Sequence, residues 1–257
     1  MSHAPGRFVW NELMTTDAAG ATEFYTQLFG WESETAEIGG TSYRMLKAGE
    51  QYVGGIYADP KANEEAHPAW VPYVSVDDVD ARAQRAEELG GRTLVGGQDI
   101  PGIGRFAAIM DPEGAVIAPF KTAHPEREIP EPQGPGTFCW YELLTPRPDA
   151  AQEYYTELFG WRLDTMPMEN GAAYTVFRAG EKQVAGVQPM PAGVEAPPHW
   201  LLYVQVDDVD ATAQKAAALG GRLLHGPAGI PSIGRFAVFA DPQGGVLAAF
   251  QPEAAKP

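Results

Sequence analysis

The sequence predicts an α+β protein built from four βαβββ units, two in each of two homologous halves. Two observations lead to this prediction. The chain of 257 residues repeats itself at a spacing of 130 residues. Within each copy, segments that alternate apolar and polar residues surround two segments with apolar residues at helical spacing. Two copies are too few for a solenoid, which needs at least three stacked units, so the copies are interpreted as two domains.

The repeat consists of short motifs that return in the same order. The clearest pairs are Phe8-x-Trp10-x-Glu12-Leu13 with Phe138-x-Trp140-x-Glu142-Leu143, Leu28-Phe29-Gly30-Trp31 with Leu158-Phe159-Gly160-Trp161, and Ile103-Gly104-Arg105-Phe106 with Ile233-Gly234-Arg235-Phe236. Near residues 43–55 the offset becomes 131, because the second copy has one extra residue, so Tyr43 matches Tyr174. We therefore expect a first domain over residues 1–123, a Pro-rich linker over 124–135 and a second domain over 136–257.

The elements of the first copy follow from these patterns in order. A strand is predicted at Phe8–Met14, followed by a helix over Ala18–Phe29 that Asp17 caps and Gly30 ends. Strands are then predicted at Tyr43–Lys47, Tyr52–Tyr57 and Val71–Val76. Asp78 caps a second helix, which Gly90-Gly91 ends. The last strands are predicted at Arg92–Val95, Phe106–Met110 and Ala115–Phe120, and the second copy has the same order.

Composition and charge exclude several classes of partner. The net charge is -16 and the pI is about 4.6, so the surface repels nucleic-acid phosphates and anionic membranes. No segment approaches the roughly 20 apolar residues of a membrane helix, and no signal peptide is visible. The single cysteine, Cys139, permits no intrachain disulfide and is predicted to be a small core residue. We expect a cytoplasmic monomer or homodimer that binds a small molecule, neither nucleic acid nor membrane.

Two motifs in each copy carry a resemblance to a known family. They are Phe24-Tyr25-x-x-Leu28-Phe29-Gly30-Trp31 with Asp111-Pro112-x-Gly114, and Tyr154-Tyr155-x-x-Leu158-Phe159-Gly160-Trp161 with Asp241-Pro242-x-Gly244. In this order and spacing they resemble the glyoxalase/bleomycin-resistance/extradiol dioxygenase (vicinal oxygen chelate) superfamily, and most closely its doubled actinobacterial-type members. The resemblance implies glyoxalase-like domains whose mixed sheets curl around a cavity.

The resemblance also implies four metal-ligand positions in each copy, on the inner faces of four strands. In this sequence they fall on Trp10, Gly55, Val71 and Ala118, and on Trp140, Gly186, Leu201 and Ala248; a one-residue slip gives Ile56 or Val187 at the second position. None of these side chains can donate an electron pair to a divalent metal. The five histidines show no ligand spacing either. We therefore expect no metal and no other cofactor.

Alternation along the strands proposes a set of residues that face the cavity. Glu12 and Glu142 are the candidates for catalysis, since a carboxylate among aromatic rings can act as a general base or bind a ligand amine or hydroxyl. The alternative is a structural carboxylate that pairs with Arg105 or Arg235. Candidate ligand-binding residues are Trp10, Tyr73, Arg105, Trp140, Tyr203 and Arg235. The aromatic residues among them would stack on a planar ligand or simply fill the sheet, and the arginines would clamp an anionic group.

Two functions remain open at this point. The first is a metal-independent binding or resistance-type protein that holds an apolar or aromatic ligand in the sheet cavity. The second is an enzyme of the lyase, isomerase or hydroxylase-like kind, which uses a cavity Glu as base or holds a metal through non-standard ligands. The fold alone does not choose between them, because function belongs to the site.

Overall fold

A computed structural model describes residues 4–38, 41–58, 67–127, 131, 133–168, 173–194 and 196–253. His3 and the linker residues 128–130 and 132 lie outside this range. The first copy contains β1 (Phe8–Thr15), α1 (Ala18–Phe29), β2 (Glu32–Ile38), β3 (Thr41–Ala48), β4 (Gln51–Ala58), β5 (Ala69–Ser75), α2 (Val79–Glu88), β6 (Arg92–Ile100), β7 (Gly104–Met110) and β8 (Val116–Thr122). The second contains β9 (Phe138–Thr145), α3 (Pro148–Phe159), β10 (Arg162–Pro167), β11 (Ala173–Ala179), β12 (Lys182–Pro189), β13 (His199–Gln205), α4 (Val209–Ala218), β14 (Arg222–Ile230), β15 (Gly234–Ala240) and β16 (Val246–Pro252).

The α+β class and the four βαβββ units are confirmed. The strands form two eight-stranded mixed sheets, ordered β2-β3-β4-β1-β5-β8-β7-β6 and β10-β11-β12-β9-β13-β16-β15-β14. The strand pairs β1–β4 and β5–β8 are parallel, and the outer pairs are antiparallel. Among the described residues no helix has the length and apolar character needed to cross a membrane.

The helix ends follow the predicted capping residues. Asp17 accepts a hydrogen bond from the backbone N–H of Gly20 at 2.9 Å, which satisfies one of the unpaired donors of the first turn. Gly30 ends α1 in the left-handed region at φ 70°, where a side chain would be strained. Asp78 caps α2 in the same way as Asp17 caps α1.

One strand of each copy was absent from the predicted elements. β2 has the sequence ESETAEI and lies at an edge of its sheet, with its first four residues exposed. An edge strand with little burial needs no apolar alternation, so its sequence carries no strand signal. β10 occupies the matching edge in the second copy.

Proximity of Cα atoms divides the chain into two compact units that do not follow the two copies. Unit 1 contains residues 1–10, 71–130 and 141–201, and unit 2 contains residues 11–70, 131–140 and 202–257. Each compact unit therefore combines one βαβββ segment from each copy. The sequence repeat and the compact units divide the chain at different places.

A buried hydrogen-bond relay joins the two copies within unit 2. One carboxylate oxygen of Asp241 accepts from the backbone N–H groups of residues 243–245 at 2.7–2.9 Å. The other oxygen accepts from the phenol of Tyr25 at 2.9 Å, and that phenol in turn accepts from the indole N–H of Trp70 at 2.9 Å. Burial raises the pKa of the Tyr25 phenol well above its usual range. The turn of the second copy is thus bonded to α1 of the first.

Unit 1 contains the same relay, but here the aspartate belongs to the first copy and the tyrosine and tryptophan belong to the second. Asp111 binds the backbone of residues 113–115 and accepts from Tyr155 at 3.0 Å, and Tyr155 accepts from Trp200 at 3.1 Å. Desolvation raises the pKa of the Asp111 carboxyl, against the lowering effect of these hydrogen bonds. The Asp-Pro-x-Gly motif and the Tyr of the helix motif are therefore partners across the repeat.

The start of each copy also packs against the other copy, within the same compact unit. The indole of Trp31 donates to the carbonyl of Gly136 at 2.7 Å, and Phe138 packs against Trp31 with 5.9 Å between ring centroids. In unit 1, Phe8 likewise packs 5.8 Å from the ring of Trp161. Phe138 is buried in this aromatic cluster, whereas Phe8 is half-buried and also stacks on Tyr141 at 3.8 Å.

Cys139 also departs from its prediction. It was expected to be a small core residue, but it is exposed. Its neighbour Phe138 is buried, with 6% of its surface accessible. The Cys139 thiol nevertheless donates a hydrogen bond to the carbonyl of Tyr203 at 3.5 Å.

The relay generates a stability prediction. Tyr25→Phe removes the phenol, so a carboxylate oxygen of Asp241 and the indole N–H of Trp70 each lose a buried partner. We expect the free energy of unfolding to fall by about 1–3 kcal/mol, measured by urea denaturation. Tyr155→Phe should have a similar effect.

Tyr52→Phe is the matched control, because the Tyr52 phenol also donates to a carboxylate, that of Glu34, but at an exposed site. Equal losses in Tyr25→Phe and Tyr52→Phe would contradict a stabilising role of the relay.

Candidate functional site

A carboxylate–phenol pair lies on the face of β1 opposite the buried one. Asn11, Leu13 and Thr15 are at most 5% exposed, whereas Glu12 is half-buried. The phenol of Tyr43, on β3, donates to the Glu12 carboxylate with 3.0 Å between the oxygens. The strand between them is β4, where Gly55 stands opposite Glu12 in the parallel β1–β4 pair.

Gly55 is required by this geometry. A Cβ built on Gly55 would overlap the phenol oxygen and ring of Tyr43. The Tyr43 ring thus crosses β4 over Gly55, which has no side chain, and reaches the carboxylate on the strand beyond. Gly55 is also one of the two positions, with Ile56, that the family resemblance implies for the second metal ligand.

The second copy repeats this arrangement in unit 1. The phenol of Tyr174 donates to Glu142 at 2.7 Å, and Gly186 stands opposite Glu142 in the β9–β12 pair. A Cβ on Gly186 would overlap the Tyr174 phenol in the same manner. We call each set, Glu12·Tyr43·Gly55 and Glu142·Tyr174·Gly186, a Glu·Tyr·Gly triplet.

The chemistry of a Glu·Tyr·Gly triplet favours recognition of hydrogen-bond donors. The phenol has one proton, which it gives to the carboxylate, so both groups present acceptor oxygens. A ligand hydroxyl or amine that binds there would form a charge-assisted hydrogen bond, the stronger kind. The same carboxylate, held in orientation by the phenol, has the acceptor geometry of a general base.

The predicted aromatic ligand-binding residues differ in how much of their surface is exposed to solvent. Tyr73 is 5% exposed and Tyr203 6% exposed. The ring of Tyr73 lies 5.9 Å from Phe106 and 6.3 Å from Phe120, between centroids. Trp10 and Trp140 are partly exposed and share strand faces with Glu12 and Glu142. The two tryptophans therefore present more surface to a ligand than the two tyrosines do.

The aromatic layer of the second copy contains one residue that the first copy lacks. His225 is in β14, and its ring stacks on Phe236 at 5.3 Å. Tyr203 packs against the same phenylalanine at 6.2 Å. The corresponding residue of the first copy is Val95. The two copies are thus chemically different at this point.

The predicted arginines are held by aspartates. Arg105 donates to Asp80 through Nε and Nη2 at 2.9 and 2.8 Å, and to Asp99 through Nη1 at 2.9 Å. These hydrogen bonds raise the pKa of the Arg105 guanidinium. Arg235 makes the equivalent pair with Asp210. The ion pairs fasten β7 to α2 and β15 to α4, and the partner of Glu12 that the structure shows is a phenol.

The family's metal does not fit the residues at the four implied positions. Gly55 has no side chain, and Val71 and Ala118 are buried with 8% and 1% exposure. Throughout the part of the chain that the structure describes, no group of three or more His, Cys, Asp or Glu residues is placed to hold a metal ion. The donor set needed by a transition metal is not assembled there.

Tyr43 and Tyr174 were not among the residues proposed from sequence. The signal was present, since Tyr43 matches Tyr174 and Gly55 matches Gly186 even where the repeat offset changes to 131. It was not recognised because a contact across two strands depends on the register of β3, β4 and β1, which the sequence does not show.

Comparison with known proteins places these observations in a family. The model of the Glyoxalase/Bleomycin resistance protein/Dioxygenase superfamily matches residues 7–118 and 137–250. "Putative glyoxylase CFP32" of Mycobacterium tuberculosis is 40% identical over 250 residues, covering 95% of this chain and 94% of the relative. "Anthracycline biosynthesis protein DnrV" of Streptomyces peucetius is 32% identical over 255 residues, covering 94% and 91%.

Solved structures share the fold at low sequence identity. An extradiol ring-cleaving dioxygenase from B. fuscum has a TM-score of 0.65 at 19% identity, covering 98% of this chain and 73% of that one. A Mn(II)-bound glyoxalase from Novosphingobium aromaticivorans has a TM-score of 0.62 at 16% identity, covering 98% and 83%.

The steric role of Gly55 gives a direct test. Gly55→Ala should displace the Tyr43 ring and lower the free energy of unfolding by about 1–3 kcal/mol, as overpacking does. Tyr43→Ala removes the obstacle, so Gly55→Ala should cost much less in that background. A double-mutant cycle by urea denaturation measures this coupling, and Gly186→Ala with Tyr174→Ala repeats it. Additive losses in both cycles would show that the phenol does not lie over the glycine.

Proposed function

The chain belongs to the Glyoxalase/Bleomycin resistance protein/Dioxygenase superfamily, and within it we propose that this protein is a metal-independent binder of a planar, hydroxylated aromatic molecule. The observation that carries the proposal is the Glu·Tyr·Gly triplet, in which a phenol donates to a carboxylate and lies over a glycine, at a position where the family resemblance implies a metal ligand. A site that has replaced a metal by acceptor oxygens recognises donors rather than metal-chelating oxygens.

The neighbours of the triplet support the aromatic part of the proposal. Trp10 and Trp140 share the strand faces of the two glutamates and are partly exposed. A partly exposed indole can stack on an aromatic ring, and acceptor oxygens can bind the hydroxyl groups of such a ring. One relative is named for the biosynthesis of anthracyclines, so polycyclic aromatic molecules are one class of ligand that fits the proposal.

A second candidate function is proton-transfer catalysis. The phenol of Tyr43 holds the Glu12 carboxylate in one orientation at 3.0 Å, which is the kind of second contact that positions a general base. In that case Glu12 would remove a proton from bound substrate, and the reaction would be an isomerisation or an elimination without a metal. The relative named as a glyoxylase is consistent with this class.

Metal content tests the part of the proposal that both functions share. The protein purified without chelator and then dialysed should contain far less than one equivalent of Zn, Ni, Mn or Fe per chain by elemental analysis. Its melting temperature should not change with EDTA, because nothing that stabilises the fold is removed. About one metal per chain, with a drop in melting temperature on chelation, would refute metal independence.

Ligand titration tests the role of the glutamates, with 2,6-dihydroxyanthraquinone as the probe, whose hydroxyls are free to donate, and quenching of the protein's tryptophan fluorescence as the readout. Glu12→Gln keeps the shape and a carbonyl acceptor for Tyr43, but removes the charge. We expect binding at that copy to weaken about 10- to 100-fold, the loss of a hydrogen bond to a charged acceptor. Glu142→Gln should do the same for the second copy, and stability should be retained.

Glu34→Gln is the matched control, because Glu34 also accepts from a phenol but lies exposed on β2. Unchanged affinity in both Glu12→Gln and Glu142→Gln would contradict the site. Recovery of the probe chemically altered, with the change abolished by Glu12→Gln or Glu142→Gln, would favour catalysis over binding.

A further inference from the structure

The two compact units differ where the first helix of one copy meets the second helix of the other. In unit 1 the guanidinium of Arg82, on α2, donates to the carbonyl of Leu158 in the last turn of α3 at 2.8 Å. The guanidinium of Arg85, one turn further on, donates to Glu157 at 2.8 Å. Two arginines thus fill the groove between α2 and α3.

The corresponding residues of unit 2 do not fill the groove between α1 and α4. The repeat replaces Arg82 by Thr212, Arg85 by Lys215 and Glu157 by Gln27. The Thr212 hydroxyl donates to the carbonyl of Asp208 in its own helix at 2.7 Å, and the Gln27 amide donates to Glu23 at 3.1 Å. Neither side chain bridges the two helices.

A cavity of about 290 Å³ lies in this place. Its lining includes Leu28, Phe29, Asp207, Asp208, Thr212 and Lys215. Leu28 is the equivalent of Leu158, the residue whose carbonyl binds Arg82 in unit 1. Phe29 is partly exposed, whereas its counterpart Phe159 is only 8% exposed. We call this cavity the α1–α4 pocket.

The electrostatics of the α1–α4 pocket favour a cation. The C-terminal end of α1 carries the negative end of its helix dipole, and the last turn has no basic residue. The carbonyls of a last helical turn have no partner within the helix and accept external donors. Asp207 and Asp208 are exposed beside it, and the Asp208 carboxylate already accepts from the backbone N–H of Ala211 as the cap of α4. Lys215 and the positive N-terminal end of α4 oppose a cation there, but Arg82 stands in the equivalent first turn of α2 and its guanidinium still binds the helix-end carbonyl.

We infer that the α1–α4 pocket binds a guanidinium-bearing small molecule, whose cation takes the place that the Arg82 side chain has in unit 1. The planar guanidinium presents several N–H donors in a fixed arrangement, which matches a helix-end carbonyl and neighbouring carboxylates. Unit 1 provides the bound geometry, since its own chain supplies the guanidinium. The inference does not depend on the proposed function of the Glu·Tyr·Gly triplets.

The test uses methylguanidinium chloride as the probe and the full chain, followed by chemical-shift titration of backbone amides. We expect saturable shifts of residues 27–30 and 207–215 in the millimolar range, and none with N-methylurea, which has the shape without the charge. Thr212→Arg supplies a guanidinium from the chain itself. It should abolish binding at the pocket and raise the melting temperature by about 2 °C, the effect of one added hydrogen bond in a chain of this size.

Arg82→Thr is the reciprocal variant and should open an equivalent pocket in unit 1. Methylguanidinium should then bind two sites per chain instead of one and recover part of the melting temperature lost by the variant. Asp207→Asn should weaken binding at least threefold, and it tests the pocket if Thr212→Arg does not fold. Shifts that Thr212→Arg or Asp207→Asn leaves unchanged, or that N-methylurea reproduces, would overturn the inference.

Discussion

The structure depends on the buried relay of Asp, Tyr and Trp. Asp241 organises its own turn through three backbone N–H groups and, with its second oxygen, binds Tyr25 on the first helix of the other copy. A buried carboxylate is costly unless its oxygens are hydrogen-bonded. The carboxylate is satisfied only when both copies are folded, so neither copy can complete its own core. This explains why the compact units combine pieces of both copies, although the sequence divides cleanly at the linker.

Burial along β1 distinguishes its two strand faces. On β1 the side facing the core holds Asn11, Leu13 and Thr15, each nearly inaccessible. Glu12 alternates with them and is partly exposed, so its carboxylate keeps enough contact with solvent to be tolerated among aromatic residues. Within the first Glu·Tyr·Gly triplet, Glu12 is therefore the half-buried member, whereas Tyr43 and Gly55 are buried. Trp10 is on the same strand face, and the half-buried Phe8 packs beside Trp161.

The sequence predicted the parts of the fold that local chemistry decides. The bounds of α1 were predicted to the residue, because Asp17 and Gly30 act as caps through their own side chain and backbone. The edge strand β2 was not predicted, since a strand with few buried residues needs no apolar pattern. The contact between Tyr43 and Glu12 was missed for another reason: it crosses two strands and depends on their register. The glutamates were predicted because the alternation of side chains along one strand can be read from the local sequence. Their tyrosine partners were not predicted because the pairing of strands depends on residues far apart in the sequence.

The two copies share the Glu·Tyr·Gly triplet and differ in the arginine contacts between their helices. The Glu·Tyr·Gly triplet is the same in both copies, although it is a half-buried hydrogen bond worth about 1 kcal/mol and requires a glycine that weakens the strand. Packing alone would accept an apolar pair with a side chain at the glycine position. The helix contacts between α2 and α3, by contrast, are made by two arginines that the second copy has replaced. A costly arrangement kept in both copies is better explained by a ligand that both must bind than by the stability of either sheet.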